Sequence, residues 1–109
     1  DASRGQNVSM KSAQVEGDIA EAIKVAPKNA YLFYNRGNLY AAAKNYSRAI
    51  DDYSRAIEID PNFAEAYLNR GLARCYSGKT TDGLHDFSKA GELGLYNAYA
   101  ISKQLSRKK

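Results

Sequence analysis

Apolar residues recur along this chain every three or four positions, which is the spacing of one face of an α-helix. Turn residues interrupt the pattern: Pro27 ends one stretch and Asp60-Pro61-Asn62 ends another, because the residue before a proline avoids the helical region. The pattern predicts an all-α fold with about six helices, at residues 12–26, 30–43, 46–59, 64–77, 81–93 and 97–106. Residues 1–11 are polar and lack the period, so we expect a flexible leader there.

The helical pattern is itself repeated. The tripeptide Asn35-Arg36-Gly37 returns 34 residues later as Asn69-Arg70-Gly71. Aligning residues 30–63 with residues 64–97 gives further identities, which are Ala30/Ala64, Asp52/Asp86, Ser54/Ser88, Ala56/Ala90 and Glu58/Glu92. A period of this length indicates an array of stacked supersecondary units. Residues 12–29 align with the second half of each unit, so we expect half a repeat there.

The two complete units resemble the tetratricopeptide repeat, a helix-turn-helix motif of 34 residues. The matching residues of the first unit are Phe33, Gly37, Tyr40, Ala49, Tyr53, Ala56 and Pro61. Those of the second unit are Tyr67, Gly71, Phe87 and Ala90. The second unit departs at Arg74, Gly83 and Leu95, where tyrosine, alanine and proline are usual.

The resemblance implies a short right-handed superhelix of stacked helix pairs, an α-solenoid. Residues 12–29 would be the second helix of one unit, 30–63 a full unit and 64–97 a degenerate unit. Residues 97–109 would be a capping helix with a basic tail. The resemblance also implies a non-catalytic scaffold that binds a peptide or protein segment in a concave helical groove.

Small residues on the buried stripe are predicted to let the two helices of a unit approach closely. They are Gly37 and Gly71 on the first helices, and Ala56 and Ala90 on the second helices. On the same stripe, Arg36 and Arg70 would be costly as lone charges. Because each precedes an aspartate on the opposing helix by the same interval, we predict the ion pairs Arg36–Asp52 and Arg70–Asp86.

The concave face implied by the resemblance is predicted to bind the ligand. Its predicted residues are Tyr31, Tyr34, Asn38 and Ala41 on one helix, Glu65, Leu68, Asn69, Leu72 and Cys75 on the next, and Tyr99, Ser102 and Lys103 on the cap. Tyrosine offers contact area at low entropic cost, and asparagine amides can pair with a peptide backbone. The alternative is that the tyrosines only cover the ends of the helices.

Some members of this family hold the C-terminal carboxylate of a chaperone tail with lysine, asparagine and arginine side chains. Asn38, Asn69 and Lys103 fall where two asparagines and one basic residue belong, but Tyr34 and Tyr99 stand where lysines are needed. The sequence therefore does not predict that activity.

The sequence predicts no enzyme, metal site or cofactor. His85 is the single histidine and Cys75 the single cysteine, and a surface position and a packing role account for them. The net charge of +4 is diffuse, with Arg107, Lys108 and Lys109 in the tail, so we expect no nucleic-acid partner. No apolar run approaches the roughly 20 residues of a membrane span.

The sequence also allows a second function. In this alternative the repeats are architectural, and they form part of a larger solenoid or associate with a second copy. Exposed apolar residues near Val15 and Ile19, at the open N-terminal face, would favour it. The chain begins with Asp1 and not with Met, which fits an excerpt of a longer protein.

Overall fold

The computed structural model describes residues 2–95, with side chains from Ala13 onward. This part of the chain consists of five α-helices joined by short turns: α1 (Ala2–Val25), α2 (Ala30–Ala42), α3 (Tyr46–Ile59), α4 (Ala64–Tyr76) and α5 (Thr80–Glu92). The all-α prediction is therefore confirmed. The predicted capping helix, with Tyr99, Ser102 and Lys103, lies outside the described residues.

The bounds of α2 to α5 lie within one residue of those expected from the sequence. The first helix differs, because α1 begins at Ala2 and not near Ser12, in place of a flexible leader. Residues 2–11 carry no apolar period, so the pattern gave no helical signal there. They also contain no proline, the residue that most strongly disfavours a helix interior, so a helix can begin at Ala2 and continue through them.

The turns within the two complete units have the same geometry. Lys44 has a φ of 62°, and Gly78, 34 residues later, has a φ of 89°. In the first turn the Asn45 backbone N–H donates to the Tyr40 carbonyl at 2.8 Å, and in the second the Lys79 N–H donates to the Arg74 carbonyl at 2.7 Å. These bonds satisfy carbonyls that a helix end leaves free, so each pair of helices is joined by the same tight link.

The helices stack in chain order, with α2 packed on α3, α3 on α4 and α4 on α5, while α1 packs on α2. The largest fully buried side chains are Tyr53 and Phe87, one in each complete unit. A Cβ atom at Gly37 would lie 2.7 Å from the Tyr53 ring, and one at Gly71 would lie 2.8 Å from the Phe87 ring. The predicted close approach of the paired helices at these glycines is confirmed.

The crossing of α4 and α5 is closer still, because a second glycine stands at it. A Cβ atom at Gly83 would lie 2.7 Å from the Gly71 carbonyl oxygen and 2.5 Å from Cys75 Sγ. The departure from alanine at Gly83 therefore has a steric reason. Cys75 therefore packs against α5, which agrees with the packing role expected for it and not with its expected place on the concave face.

Candidate peptide-binding groove

Ion pairs fix the two helices of each unit in register. Arg36 donates to Asp52 from Nε at 2.8 Å and from Nη2 at 2.9 Å. Arg70 donates to Asp86 in the same way, at 3.0 Å and 2.8 Å. Both predicted pairs are confirmed, and both carboxylates are buried.

The second unit has an additional cation that the sequence analysis did not assign. Arg74 Nη1 donates to Asp86 Oδ2 at 2.7 Å, and Arg70 Nη1 donates to the Ser54 hydroxyl at 3.1 Å. Arg74 lies one helical turn after Arg70, so the spacing could have indicated that both arginines share a helix face and reach the same aspartate. The Ser54 contact links this network to the preceding unit.

The predicted groove residues on α2 and α4 differ in their exposure. Tyr31 and Glu65 are exposed, and Leu72 is partly exposed. Tyr34 is half-buried, with its ring centroid 4.8 Å from that of Phe63 and 6.0 Å from that of Tyr53. Tyr34 is therefore largely a packing residue. Asn38, Ala41, Leu68 and Asn69 are also half-buried.

A polar network joins α2, α3 and α4 beneath this face. The Tyr53 hydroxyl donates to Asn38 Oδ1 at 2.6 Å, and Asn69 Nδ2 donates to the same oxygen at 3.0 Å. Asn69 Nδ2 also donates to the Tyr34 hydroxyl at 3.1 Å. Burial raises the pKa of Tyr53, which keeps its hydroxyl protonated as a donor.

The network leaves two polar groups of the asparagines unused. Among the described residues, neither Asn38 Nδ2 nor Asn69 Oδ1 takes part in a hydrogen bond. One is a donor and the other an acceptor, and they lie on neighbouring helices. Such a pair matches the N–H and C=O groups that an extended chain presents along one edge.

A pocket of about 240 Å³ lies beside these amides. The rings of Tyr46 and Tyr76 stack at one side of it, with centroids 5.6 Å apart and an angle of 19° between the planes. The full lining is Asn38, Ala41, Tyr46, Tyr53, Asn69, Leu72, Ala73 and Tyr76. Most of this surface is apolar, so the pocket suits an apolar side chain.

The structure brings together only part of the predicted site. Asn38, Ala41, Asn69 and Leu72 line the pocket, whereas the other predicted groove residues of the described chain do not: Tyr31, Tyr34, Glu65, Leu68 and Cys75. The stacked tyrosines Tyr46 and Tyr76 were not among the predicted residues. Tyr76 follows Leu72 by one helical turn, so its position could have been inferred. Tyr46 begins the second helix of a unit, and no repeat-based signal pointed to it.

The charge of the groove is low. Among its predicted residues in the described part of the chain, Glu65 is the single charged side chain. Tyr34 occupies a position where the family's carboxylate-binding members need lysine, and its hydroxyl is engaged by Asn69. The predicted groove residues in the described part of the chain thus include no cation that would hold an acidic tail.

The residues considered for chemistry do not form a catalytic arrangement. His85 is exposed, and burial raises the pKa of the Cys75 thiol, which lowers its thiolate fraction. In the described residues, no three histidine, cysteine, aspartate or glutamate side chains are grouped as a metal site would require. Nor is any helix in that part of the chain long and apolar enough to cross a membrane.

Two family models, both described as tetratricopeptide repeat, match residues 30–63 and residues 53–85. Together they span just over half of the chain and cover α2, α3, α4 and the first part of α5. The chain belongs to the tetratricopeptide repeat family. The family expectation from the repeated Asn-Arg-Gly segments is therefore confirmed.

Similar curated proteins are much longer than this tetratricopeptide repeat chain. It is 34% identical over 84 residues to the small glutamine-rich tetratricopeptide repeat-containing protein 2 of Saccharomyces cerevisiae, covering 77% of this chain and 24% of that protein. It is 35% identical over 68 residues to human tetratricopeptide repeat protein 28, covering 62% of this chain and 3% of that protein. A UDP-N-acetylglucosamine–peptide N-acetylglucosaminyltransferase of Giardia intestinalis is 32% identical over 98 residues, which are 90% of this chain and 7% of that enzyme.

Solved structures of tetratricopeptide repeat domains have the same fold. The first such domain of Spaghetti (RPAP3), bound to the HSP90 peptide SRMEEVD, superposes with a TM-score of 0.82 at 21% identity, covering 96% of this chain and 85% of that one. The Arabidopsis OM64 domain gives a TM-score of 0.82 at 25% identity, covering 96% and 88%. The α-solenoid architecture expected from the sequence is confirmed.

Proposed function

We propose that this chain is a non-catalytic interaction scaffold, and that its concave face binds an extended protein segment between α2 and α4. The observation that carries the proposal is the pocket beside the amides of Asn38 and Asn69. A site for a peptide needs groups that recognise the backbone and a cavity that recognises a side chain. Both features occur together on this face.

The two asparagine amides would recognise the backbone of the ligand. Asn38 Oδ1 and Asn69 Nδ2 are held by the Tyr53 and Tyr34 hydroxyls and by each other. This fixes the orientation of the opposite ends of the amides before a ligand arrives. Preorganised polar groups lose less entropy on binding, so these amides can contribute to affinity.

The pocket would hold one large apolar side chain of the ligand. Its volume of about 240 Å³ lies below the roughly 300–1,000 Å³ of pockets that hold drug-sized molecules. The stacked rings of Tyr46 and Tyr76 would contact that side chain on one side, and Leu72 would contact it on another. Tyrosine is among the residue types that contribute most to binding energy at interfaces.

We further propose that the bound segment is uncharged or basic. In the Spaghetti complex, three of the last four residues of the peptide SRMEEVD are acidic. Here Tyr34 is engaged in packing, and Glu65 is the single charged group of the predicted groove within the described chain. A carboxylate at Glu65 repels an acidic ligand and attracts a basic one.

The similarity to the Giardia transferase does not change this proposal: we propose that this chain binds a protein segment and does not catalyse a reaction. This chain matches 7% of that enzyme. The exposed His85 and the packed Cys75 do not form a nucleophile–base pair. A repeat segment of this size would supply recognition to a larger protein.

Selection from a random library of 12-residue peptides tests the proposal. The wild-type chain would be the only selection target, and the selected peptides would then be measured on Leu72→Lys, because Leu72 is 37% exposed and its replacement blocks the pocket without opening the core. Val25→Lys is the matched control, since it makes the same change at a residue that is 86% exposed and outside the pocket.

We expect the selected peptides to share an apolar anchor, to bind Val25→Lys like the wild type and to lose at least tenfold in affinity for Leu72→Lys. Peptides that bind Leu72→Lys equally well would contradict the site. A consensus dominated by acidic residues would contradict the proposed ligand class.

A further inference from the structure

The 34-residue register relates α1 to the second helices of the two complete units. Val15, Asp18, Ile19 and Ala22 of α1 correspond to Ala49, Asp52, Tyr53 and Ala56 of α3. The corresponding residues of α5 are Gly83, Asp86, Phe87 and Ala90. In both complete units this stripe is the surface on which the first helix of the unit packs.

The stripe is covered in α3 and α5 but open in α1. Ala49, Tyr53 and Ala56 are at most 1% exposed. On α1, by contrast, Val15 is 44% exposed, and Ile19 and Ala22 are only partly buried. The apolar face that another helix covers in the two complete units therefore meets solvent here.

A different face of α1 packs against α2, through residues equivalent to those by which α3 packs on the next unit. Glu16 Oε1 accepts a hydrogen bond from the Tyr40 hydroxyl at 2.7 Å, and Ile23 packs against the cluster that contains Phe33. These residues correspond to Ile50 and Ile57 of α3, the helix that packs on the next unit through α4. The open stripe thus lies on a different face of α1 from Glu16 and Ile23, the residues that contact α2.

A carboxylate identifies the kind of helix that would fit. Asp52 receives Arg36 and Asp86 receives Arg70, in each case from the packed first helix. Asp18 stands at the same register position, is exposed, and has no ion pair or hydrogen bond within the described residues. The open stripe therefore combines an apolar surface with an acceptor for an arginine.

We propose that this stripe, formed by Val15, Asp18, Ile19 and Ala22, docks an amphipathic helix of a partner protein that carries an arginine followed by a glycine. The arginine would pair with Asp18, as Arg36 pairs with Asp52. The glycine would face Ile19, since Gly37 faces Tyr53 at the equivalent place. A larger residue there would hold the helices apart.

A second copy of the chain fits the stripe less well. The Arg-Gly pairs of α2 and α4 are already engaged, because Arg36 and Arg70 bind the aspartates of their own units. Their glycines face Tyr53 and Phe87 within the same units. Using either helix in another copy would require opening a folded unit.

A peptide with the sequence of α2 tests the proposal. This segment, Ala30–Ala42, has 13 residues and contains the arginine and glycine in the required order. It would be titrated to millimolar concentration into the ¹⁵N-labelled chain, because an isolated helix of this length is only marginally stable. The control peptide carries Arg36→Ala and is otherwise identical.

We expect chemical-shift changes along the stripe of α1, with a Kd at least fivefold weaker for the control peptide. Asp18→Asn should weaken binding of the original peptide by a similar factor, whereas Asp51→Asn, an exposed carboxylate on α3, should change it less than twofold. A peptide with Arg36→Asp should bind Asp18→Arg better than it binds the wild-type chain.

Three results would overturn the proposal. One is the absence of shift changes on α1 at the highest peptide concentration. Another is equal binding by wild type and Asp18→Asn. The third is a concentration-dependent shift of the same α1 residues without peptide, together with a dimer in sedimentation, which would assign the stripe to a second copy.

Discussion

The carboxylate of Asp52 accepts two hydrogen bonds from the guanidinium of Arg36, at 2.8 Å and 2.9 Å. The two side chains belong to different helices and are 16 residues apart. Such two-point contacts fix distance and orientation together, which a point charge on lysine does not. The same contact recurs between Arg70 and Asp86, so each unit carries its own device for setting the helix pair.

Loss of the buried carboxylate in the first unit should destabilise the chain. We expect Asp52→Ala to lower the free energy of unfolding by about 1–3 kcal/mol, because it leaves the half-buried Arg36 without its partner. Asp51→Ala, next to it but exposed, is the control and should stay within about 0.5 kcal/mol of wild type. Urea denaturation measures both, and equal midpoints for Asp52→Ala and wild type would refute the structural role of the pair.

The corresponding change in the second unit should cost more. Asp86 is contacted by Arg70 and Arg74, so Asp86→Ala leaves two guanidinium groups close together without a counter-charge. Their mutual repulsion adds to the lost hydrogen bonds. We therefore expect a loss that exceeds the effect of Asp52→Ala by roughly 1 kcal/mol. The same urea measurement checks the order, and a smaller effect at Asp86 would contradict it.

Two glycines should respond in opposite ways to alanine. At Gly83 the added Cβ would meet Cys75 Sγ and the Gly71 backbone oxygen, so we expect Gly83→Ala to lower the free energy of unfolding by about 1–3 kcal/mol. At Gly17, in α1, the added Cβ would have no neighbour within 4 Å. Gly17→Ala should therefore raise stability by up to about 1 kcal/mol through helix propensity. Thermal melts of the two variants should shift in opposite directions, and a stabilised Gly83→Ala would disprove the close helix crossing.

Alkaline pH should weaken the fold through Tyr53. Burial raises the pKa of Tyr53, so the folded chain keeps the proton that the unfolded chain releases near pH 10. The stabilisation is complete below that pH and is lost as the pH rises towards the folded pKa, by up to about 1.4 kcal/mol per pH unit.

The variant Tyr53→Phe isolates this contribution. It should show a smaller fall in the free energy of unfolding between pH 8 and pH 10.5 than the wild type. Tyr31→Phe, at an exposed tyrosine, should behave like the wild type over the same range. Equal alkaline losses in Tyr53→Phe and wild type would rule out Tyr53 as the source.

The repeat made the fold and the ion pairs predictable. Aligning Arg36 with Arg70 and Asp52 with Asp86 located both contacts, because a helical repeat places equivalent residues in equivalent surroundings. The start of α1 at Ala2 was not predictable in the same way. Residues 2–11 lack the apolar period that reveals a helix in a sequence.

The groove was predictable only in part, because its details depend on residues that do not repeat. Asn38 and Asn69 were expected on the concave face, and both line the pocket. Tyr46 and Tyr76 come from different positions in their units, so no alignment of repeats brings them together. Tyrosine is a residue type often found in binding sites, but the ring of Tyr34 packs against the core residues Tyr53 and Phe63.

The central proposal, that the concave face binds an extended segment, is tested most directly by mapping a selected peptide on the ¹⁵N-labelled chain. We predict the largest chemical-shift changes at Asn38, Asn69 and Leu72, with the side-chain amides of both asparagines among them. The same peptide should leave the spectrum of Leu72→Lys unchanged. Shift changes confined to the outer helices α3 and α5, with Asn38 and Asn69 unaffected, would contradict the proposal.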